Sequence, residues 1–504
     1  MAAKGISPTR EEDFPAWFQA VVKEAEVAEL AHVRGSMVIR PWGYAIWELM
    51  QAELDRAIKA TGAQNAYFPL FIPLSYFEAE AEHVDGFAKE MAVVTHHRLE
   101  GDPEHPGKLR PGGELAEPLV VRPTSETIIG KSLAKWINSY RDLPMMLNQW
   151  ANVVRWEMRP RVLLRTTEFL WQEGHTAHAT EAEAREETDR MLEVYRSFAE
   201  SFLAMPVITG EKPEAERFPG AVATLSIEAM MQDGKALQAG TSHYLGQGFA
   251  ESAEILFLDK DGNRELVHTS SWGVSTRLLG ALIMSHGDDA GLRLPPTVAP
   301  QQVVIVPIIR DEGGDEVIAA AQALAAELSA TSFGGAPLRA TADLRDRGAP
   351  DKRWEWIRKG VPVVIEIGPR DLSEGVVAVR RRDSEDFGFE SLDRDSAVTE
   401  IQAILEQMQS GYFSAAETRL KTHTATDITE MTAFAAWFDD GAEGGISKGF
   451  VRAPWSEAPE SEALLEDLKV TVRCIPFDQR LPEGSTCVLT GKPAVVEAVF
   501  AKAY

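Results

Sequence analysis

NQWANVVRWEMRPRVLLRTTEFLWQEGHTAH, residues 148–178, holds two extended runs interrupted at Arg159-Pro160. Alternate residues of a strand share a face, so Val153, Arg155 and Glu157 point one way in the first run. Arg165, Phe169, Trp171, Glu173 and His175 are of one parity in the second. The pattern predicts an antiparallel hairpin with two arginines, two carboxylates, a histidine and two aromatics on one face. A solvated face would not normally expose Phe169 and Trp171, and a core face would not hold four charges. A binding cleft satisfies both, and a salt-bridged sheet face is the plainer alternative.

Working outward, Thr180 and Glu183 form a capping box that opens a long amphipathic helix carrying Met191, Tyr195, Phe198 and Phe202. Extended segments are expected from Leu119 to His178, and an apolar strand over Ala66 to Ile72 precedes them. A helix from about Pro41 places Ile46, Met50, Leu54 and Ile58 on one stripe and should stop near Gly62. Asp13 can cap an opening helix with Pro15 in its first turn. Gly287 to Pro300, with Pro295, Pro296 and Pro300, reads as a linker. Beyond it, strand Val303 to Ile309, helix Asp315 to Leu328 and strands Val363 to Ile367 and Val376 to Val379 predict an α/β domain of about 100 residues. A helix from about Ala397 leads into a last segment, Asp427 to Tyr504, read as α+β.

A chain of 504 residues exceeds one hydrophobic core, so two to four domains are expected. No apolar stretch approaches the about 20 residues needed to cross a bilayer. Glu11, Glu12 and Asp13 stand where a secretory signal needs an apolar run, so a cytoplasmic protein is expected. The two cysteines, Cys474 and Cys487, make no disulfide framework. A net charge of -26 argues against a general polyanion binder but leaves room for a local basic surface, for which Arg345, Arg347, Lys352, Arg353, Arg358, Lys359, Arg370 and Arg380 to Arg382 are candidates. Gly130-Lys131-Ser132 fails as a phosphate loop because Ser125 replaces the required glycine. Glu173, His175 and His178 lack the His-Glu-x-x-His spacing of a metalloprotease.

Arg155-Trp156-Glu157 with Arg165-Thr166-Thr167-Glu168-Phe169 resembles the second signature motif of class II aminoacyl-tRNA synthetases. Gly273-Val274-Ser275-Thr276-Arg277 resembles the third, and the Pro41 helix with the strand ending at Pro73 resembles the first. Arg122-Pro123-Thr124-Ser125-Glu126, Trp171-Gln172-Glu173-Gly174-His175, Gln238-Ala239-Gly240-Thr241-Ser242-His243 and Ser271-Trp272-Gly273 narrow the resemblance to the prolyl-tRNA synthetase family, in the form shared by archaea, eukaryotes and some bacteria. It runs from about Phe14 to Tyr504. It implies a multidomain α+β and α/β protein: an antiparallel-sheet catalytic domain over residues 1–290, an α/β anticodon-binding domain over 300–400 and a small α+β C-terminal domain over 410–504. A synthetase-like protein without activity is the rival, since fold does not fix function. Retention of Arg155, Glu157, Arg277 and the second domain favours catalysis.

The resemblance implies activation of L-proline by ATP, with magnesium (Mg2+) as its companion, and transfer to tRNA(Pro). Arg155 and Arg277 carry the catalytic expectation, Arg155 on the α-phosphate and the proline carboxylate, Arg277 on the distal phosphates. A planar guanidinium fork suits oxygens whose charge builds as carboxylate attacks phosphorus. Glu157 is expected on the adenine amino group, with Arg165, Phe169, Gln238 and Thr241 completing the ATP site. Thr124, Glu126, Arg155, Trp171, Glu173, His175, His243, Ser271 and Gly273 are expected around proline. Proline offers no polar side chain to read, so shape must select it and alanine misactivation is plausible. No editing insertion separates the second and third motifs.

By the same resemblance Arg370, Asp371 and Glu355 are candidates for anticodon reading; bidentate arginine suits guanine. Trp354-Glu355 sits two residues earlier than the family pattern, which places Ile357 at the glutamate. The first motif implies a homodimer, consistent with the commonest closed symmetry. Relatives with this C-terminal extension bind structural zinc through four cysteines, and aligned on Trp455 those positions fall on Ser456, Ser461, Cys487 and Thr490. One thiol is too few for zinc, so no structural zinc is expected. Packing by Trp455, Leu464, Leu465, Leu468, Val470, Val472, Ile475, Phe477 and Val488 must then hold that domain, with Tyr504 docking the chain end.

Overall fold

Met145–Val154 and Glu168–His178 pair antiparallel along their whole length, from Met145 opposite Ala177 to Val154 opposite Glu168, in a computed structural model that describes residues 5–78, 90–309, 314–384, 388–439 and 446–504. The hairpin has the expected partners but shorter strands. Arg155 and Glu157 lie just past the first strand, and Arg165 lies before the second. The intervening Val162, Leu163 and Leu164 are buried, with Leu163 at a positive φ of 65°, so this segment folds onto the core and leaves the ladder.

Among the described residues eleven strands form one sheet. From Glu168–His178 it continues through His268–Ser275, Ala236–Gly246, Ala223–Met230 and Val207–Glu211. It then passes without a break into the C-terminal strands Thr471–Pro476, Val496–Ala501, Phe450–Trp455 and Thr424–Ala425. One face is covered by helices. Glu181–Ser197 starts at the Thr180–Glu183 capping box and packs Met191 and Tyr195 into the same core as Ile227, Trp272 and Val274. Helices Pro41–Ala60 and Arg277–His286 complete that layer, with Ile46, Met50, Leu54 and Ile58 buried as their spacing predicts. Asp13 accepts from the Ala16 N–H at 3.0 Å and caps helix Phe14–Glu24. The opposite face near the hairpin is left for the cleft.

Two expectations fail locally. The strand over Ala66 to Ile72 is confined to Phe71–Pro73, while Gln64–Asn65 pairs separately with the hairpin edge. Arg122 explains the gap. Its buried guanidinium donates to the carbonyls of Phe68 (3.0 Å) and Asn152 (2.8 Å), satisfying backbone that a ladder would otherwise satisfy. The extended reading from Leu119 also misses helix Glu126–Trp136, whose Ile129 and Leu133 at i,i+4 are buried.

The second unit holds a five-stranded sheet in the order Ala340–Ala342, Val303–Pro307, Val363–Ile367, Val376–Arg381, Glu390–Asp393. The first three are parallel, and helices Gly314–Ser329 and Ala397–Thr422 pack on them. Residues 287–300 are irregular as expected but packed: Leu292, Leu294, Val298 and Ala299 join the first core. Arg382 meets buried Asp288 at 2.7 Å and Lys359 meets Glu26 at 2.8 Å, tying the second unit to the first. The basic surface read from sequence is therefore largely neutralised. Lys352 and Arg382 are buried, and Arg353 and Arg380 share Glu366. In the last segment Trp455, Leu465, Val470, Val472 and Val488 form a core, joined at its edge by Leu464, Leu468 and Ile475, whereas Phe477 is exposed.

Candidate active site

The odd residues of Glu168–His178 face the cleft and the even ones face the helices. Gln172 accepts from the Tyr195 hydroxyl at 2.6 Å on the helix side. Gly174 lies under Trp272, where an added Cβ would come within 2.2 Å of the indole. On the other side Phe169, Trp171, Glu173 and His175 line a cavity of about 260 Å³. Across it stand Gln238, Thr241 and His243 from Ala236–Gly246, and Ser271 and Gly273 from His268–Ser275. Thr124 and Glu126, at the start of helix Glu126–Trp136, and the guanidinium groups of Arg155 and Arg277 complete the lining.

The floor of this cavity is a carboxylate held on both oxygens. Glu173 Oε1 accepts from Ser125 Oγ at 2.5 Å and Gln149 Nε2 at 2.7 Å, and Oε2 lies 3.1 Å from His175 Nε2. Burial pushes Glu173 up, but the histidine and the two neutral donors together outweigh it and hold the carboxylate below its usual range. His175 is correspondingly raised despite burial, through Glu173 and the charge of Glu126. Each partner thus favours the ionised form of the other. His243 behaves in the opposite way: burial, with His175 adding repulsion, pushes it down to about 3, and its Nδ1 lies 3.0 Å from Thr224 Oγ1. Thr124 donates to Glu126. The Trp171 indole N–H and the Ser271 hydroxyl are buried without a protein partner, and both residues line the cavity.

A second cavity of about 220 Å³ is lined by Glu90, Glu157, Arg165 and Thr166, and shares Arg155, Phe169, Ser275 and Arg277 with the first. Arg155 Nε donates to the Pro123 carbonyl at 3.1 Å, and its guanidinium sits 5.5 Å from the Trp171 ring and 5.8 Å from that of Phe169. Arg277 Nε donates to the Leu164 carbonyl at 3.2 Å. Burial, then repulsion from Arg165 and Arg155, lowers it to about 10, so it stays cationic. Glu157 accepts from the Arg159 N–H at 2.8 Å, which closes a local turn. Two connected pockets with a fixed cation at their junction can hold an anionic group from each of two substrates and offset charge that develops between them.

The three candidates in the second unit do not converge on these cavities. Arg370 is 84% exposed on the short helix Pro369–Glu374 and pairs with Glu374. Asp371 accepts from the Gly368 N–H at 2.7 Å, which closes its turn. Glu355 is held by Arg345 (2.9 Å), Arg347 (2.5 Å) and Lys359 (3.1 Å). Sequence reasoning missed Gln149 and Ser125, the supports of Glu173, and Phe218, whose ring lies 4.8 Å from that of His243, tilted by 37°, in the cavity wall. It also missed Glu90 and Thr224. Ser125 stood inside a quoted string; nothing in spacing or period marks the others.

With this geometry in place, the comparisons are specific. Residues 112–286 match the family described as tRNA synthetase class II core domain (G, H, P, S and T), residues 302–404 the anticodon binding domain and residues 443–504 the prolyl-tRNA synthetase C-terminal family. The chain is 57% identical over 500 residues to a proline–tRNA ligase of Paramagnetospirillum magneticum, covering 99% of this chain and 98% of that protein. It is 55% identical to that of Protochlamydia amoebophila, with 99% and 98% covered, and 53% identical to that of Bdellovibrio bacteriovorus, with both chains covered in full.

The histidines make a pH prediction. His243 and His286 are pushed down to about 3 and His178 to about 4, each first by burial. An unfolded chain protonates them near pH 6.5 and the folded one does not, so stability falls as pH drops below about 6.5. His175, being raised, contributes in the reverse sense and loses its contribution above that pH. Replacing His243 by Gln should flatten the acid-side loss of unfolding free energy, by up to about 1.4 kcal/mol per pH unit over the range where only the unfolded imidazole is protonated, and with it the fall of the thermal midpoint. An unchanged slope in scans from pH 7 to 4 would show that His243 titrates normally in the folded protein.

Proposed function

This chain belongs to the prolyl-tRNA synthetases, the proline–tRNA ligases, and on that premise we propose how its residues divide the reaction. The protein activates proline with ATP and charges tRNA. In the first step a proline carboxylate oxygen bonds to the α-phosphorus and pyrophosphate leaves with the electrons of the broken bond. In the second the terminal ribose hydroxyl of tRNA attacks the acyl carbon, its proton is lost and AMP leaves.

The first cavity is the proline pocket in this reading. Glu126 faces the secondary ammonium, the Trp171, His175 and His243 rings shape the walls, and Thr124, Glu173, Ser271 and Gly273 complete the enclosure. Buried and bonded to each other, Glu173 and His175 act as supports of that wall. ATP spans the second cavity and the adjoining part of the first, with Glu157, Arg165 and Phe169 toward the base and Arg277, shared by both, together with Gln238 and Thr241 of the first along the phosphates. The observation that carries this assignment is the position of Arg155 on both cavities. A group there meets the attacking carboxylate and the phosphorus it attacks, and positioning with electrostatics supplies the catalysis. Magnesium would accompany ATP, and we assign it no residue. Among the described residues no three His, Cys, Asp or Glu side chains are grouped for a metal, and the buried carboxylate of Glu228 is already held by Lys212 and Arg473.

Residues 300–400 would read the anticodon of tRNA(Pro) through Arg370, whose exposure suits an RNA contact, with Asp371 and Glu355 beside it. Residues 1–290 and 410–504 form the other two proposed domains. A homodimer is supported by Leu30, Val33, Val38 and Tyr44, apolar side chains from 41% to 66% exposed around the start of helix Pro41–Ala60. A cytoplasmic location accords with the reaction; among the described residues no helix is long and apolar enough to cross a membrane.

The C-terminal domain is proposed to fold without zinc. Ser456 Oγ and Thr490 Oγ1 lie 3.3 Å apart, and Ser461 Oγ accepts from the Trp455 indole at 3.0 Å. Burial raises the Cys487 thiol, but the Ser456 and Thr490 hydroxyls outweigh it and bring it below its usual value. The Ser456 and Thr490 hydroxyls thus meet each other, and that of Ser461 is committed to Trp455 and the Ala458 carbonyl. Dialysis against a strong chelator should leave the thermal midpoint unchanged and zinc content near zero; about one tightly held zinc per chain would refute the proposal.

Two variants test the division of labour. Arg155→Ala should lower proline-dependent ATP–pyrophosphate exchange by about 100-fold or more, the range for a lost transition-state donor. Arg370→Ala should preserve exchange and lower tRNA charging by the equivalent of about 1–3 kcal/mol. Near-normal exchange by the first, or equal damage to both steps by the second, would contradict the assignment.

A further inference from the structure

Glu228 is fully buried on strand Ala223–Met230, with Oε1 2.7 Å from Lys212 Nζ and Oε2 accepting from Arg473 Nη2 at 2.9 Å and Nε at 3.1 Å. Its position relative to the cleft follows from sheet register. Thr224 stands opposite His243, Ser226 opposite Thr241 and Glu228 opposite Gln238. Partners across an antiparallel ladder share a face, and His243, Thr241, Gln238 and Thr224 all line the cavity. The row therefore runs along the cleft wall, and Glu228 stands at its buried end, opposite Gln238. A register shift falls at Ile227/Glu228, so the ladder is irregular where this carboxylate sits. The Glu228 charge favours the cationic form of Arg277, which lines the same cavity as Gln238.

Arg473 reaches this point from the C-terminal strand Thr471–Pro476, which extends the sheet through Ile475 opposite Glu211. Its Nη1 is tied to Thr471 Oγ1 at 2.9 Å, so the guanidinium is fixed on its own strand before it meets Glu228. The contact spans 245 residues of sequence. We propose that Arg473 is a positioning residue for ATP. By clamping Glu228 at the ladder irregularity it sets Gln238 and Arg277, and the C-terminal segment becomes a structural part of the nucleotide site. Arg473 is itself too buried to touch substrate. The proposal rests on ATP lying where Gln238 and Arg277 meet.

The experiment measures KM for ATP and for proline separately by pyrophosphate exchange. Arg473→Met should raise KM for ATP about fivefold or more while KM for proline stays within about twofold, because the part of the cleft assigned to ATP loosens and the rest does not. Arg473→Lys, which keeps a charge on Glu228 and preserves folding, should give a smaller rise in KM for ATP alone. Arg452→Met is the control. Arg452 pairs with buried Glu497 at 2.7 Å in the same C-terminal sheet but contacts no cleft strand, and it should leave both constants within about twofold. Parallel rises in both constants for Arg473→Met, no rise for either Arg473 variant, or an equal effect of Arg452→Met would overturn the inference. Gln238→Ala separates it from the site assignment: if that variant leaves KM for ATP unchanged, the nucleotide placement falls and this inference with it. If Gln238→Ala raises KM for ATP and Arg473→Met does not, only the role of Arg473 fails.

Discussion

A carboxylate that is 3% exposed must be met on both oxygens, and Glu173 is met from three directions. Leaving such a charge unpaired would cost several kcal/mol or force it neutral. Gln149 brings the partner hairpin strand, Ser125 brings the start of helix Glu126–Trp136, and His175 comes from two residues along the same strand. The pocket wall is thus assembled around one side chain. The same requirement explains why Ser125, at the N-terminal boundary of its helix, makes no capping bond there: its hydroxyl is committed to Glu173.

The reverse face of the sheet fixes register by a parallel device. Tyr195 donates to Gln172, Gln172 to Asn148, Asn148 to Asn65 and Asn65 to Asp55, with bonds of 2.6, 2.8, 2.7 and 2.7 Å. Trp150 donates to the same Asp55 oxygen at 2.9 Å. A slip of one residue would send every side chain of the hairpin to the wrong face, breaking this chain and moving Glu173 out of the cleft. Polar satisfaction behind the sheet and charge satisfaction in front specify the same register, so the cleft is organised before any substrate enters. Preorganisation of this kind lets buried dipoles and charges stabilise a reacting centre with little rearrangement.

What could be read from sequence followed from period and from capping chemistry. Parity along residues 169–175 placed four cleft residues on one face, and the 3.6-residue stripe of Pro41–Ala60 and the Thr180–Glu183 box located two helices. Where backbone is satisfied by a side chain instead of a ladder, the period fails: Arg122 replaces the strand expected before Phe71, and the buried turn at Val162–Leu164 takes Arg165 off the strand. Helix Glu126–Trp136 was hidden because its first turn is committed to the pocket. Long-range supports such as Gln149, Phe218 and Arg473 carry no local signal, since each acquires its role only when distant strands pair. The resemblance supplied roles for residues that periodicity could only place on a face.

In the proposed division of the site, a pocket walled by Trp171, His175 and His243, with Glu126 and Arg155 in its lining, selects proline for attack on ATP. The most direct measurement is ATP–pyrophosphate exchange by the full chain with each of the twenty amino acids in turn. The account predicts rapid exchange with proline and weak exchange with alanine, which fits the pocket but fills it poorly, losing about 1–3 kcal/mol or more of apolar contact. Faster exchange with any other amino acid, or none with proline, would contradict it.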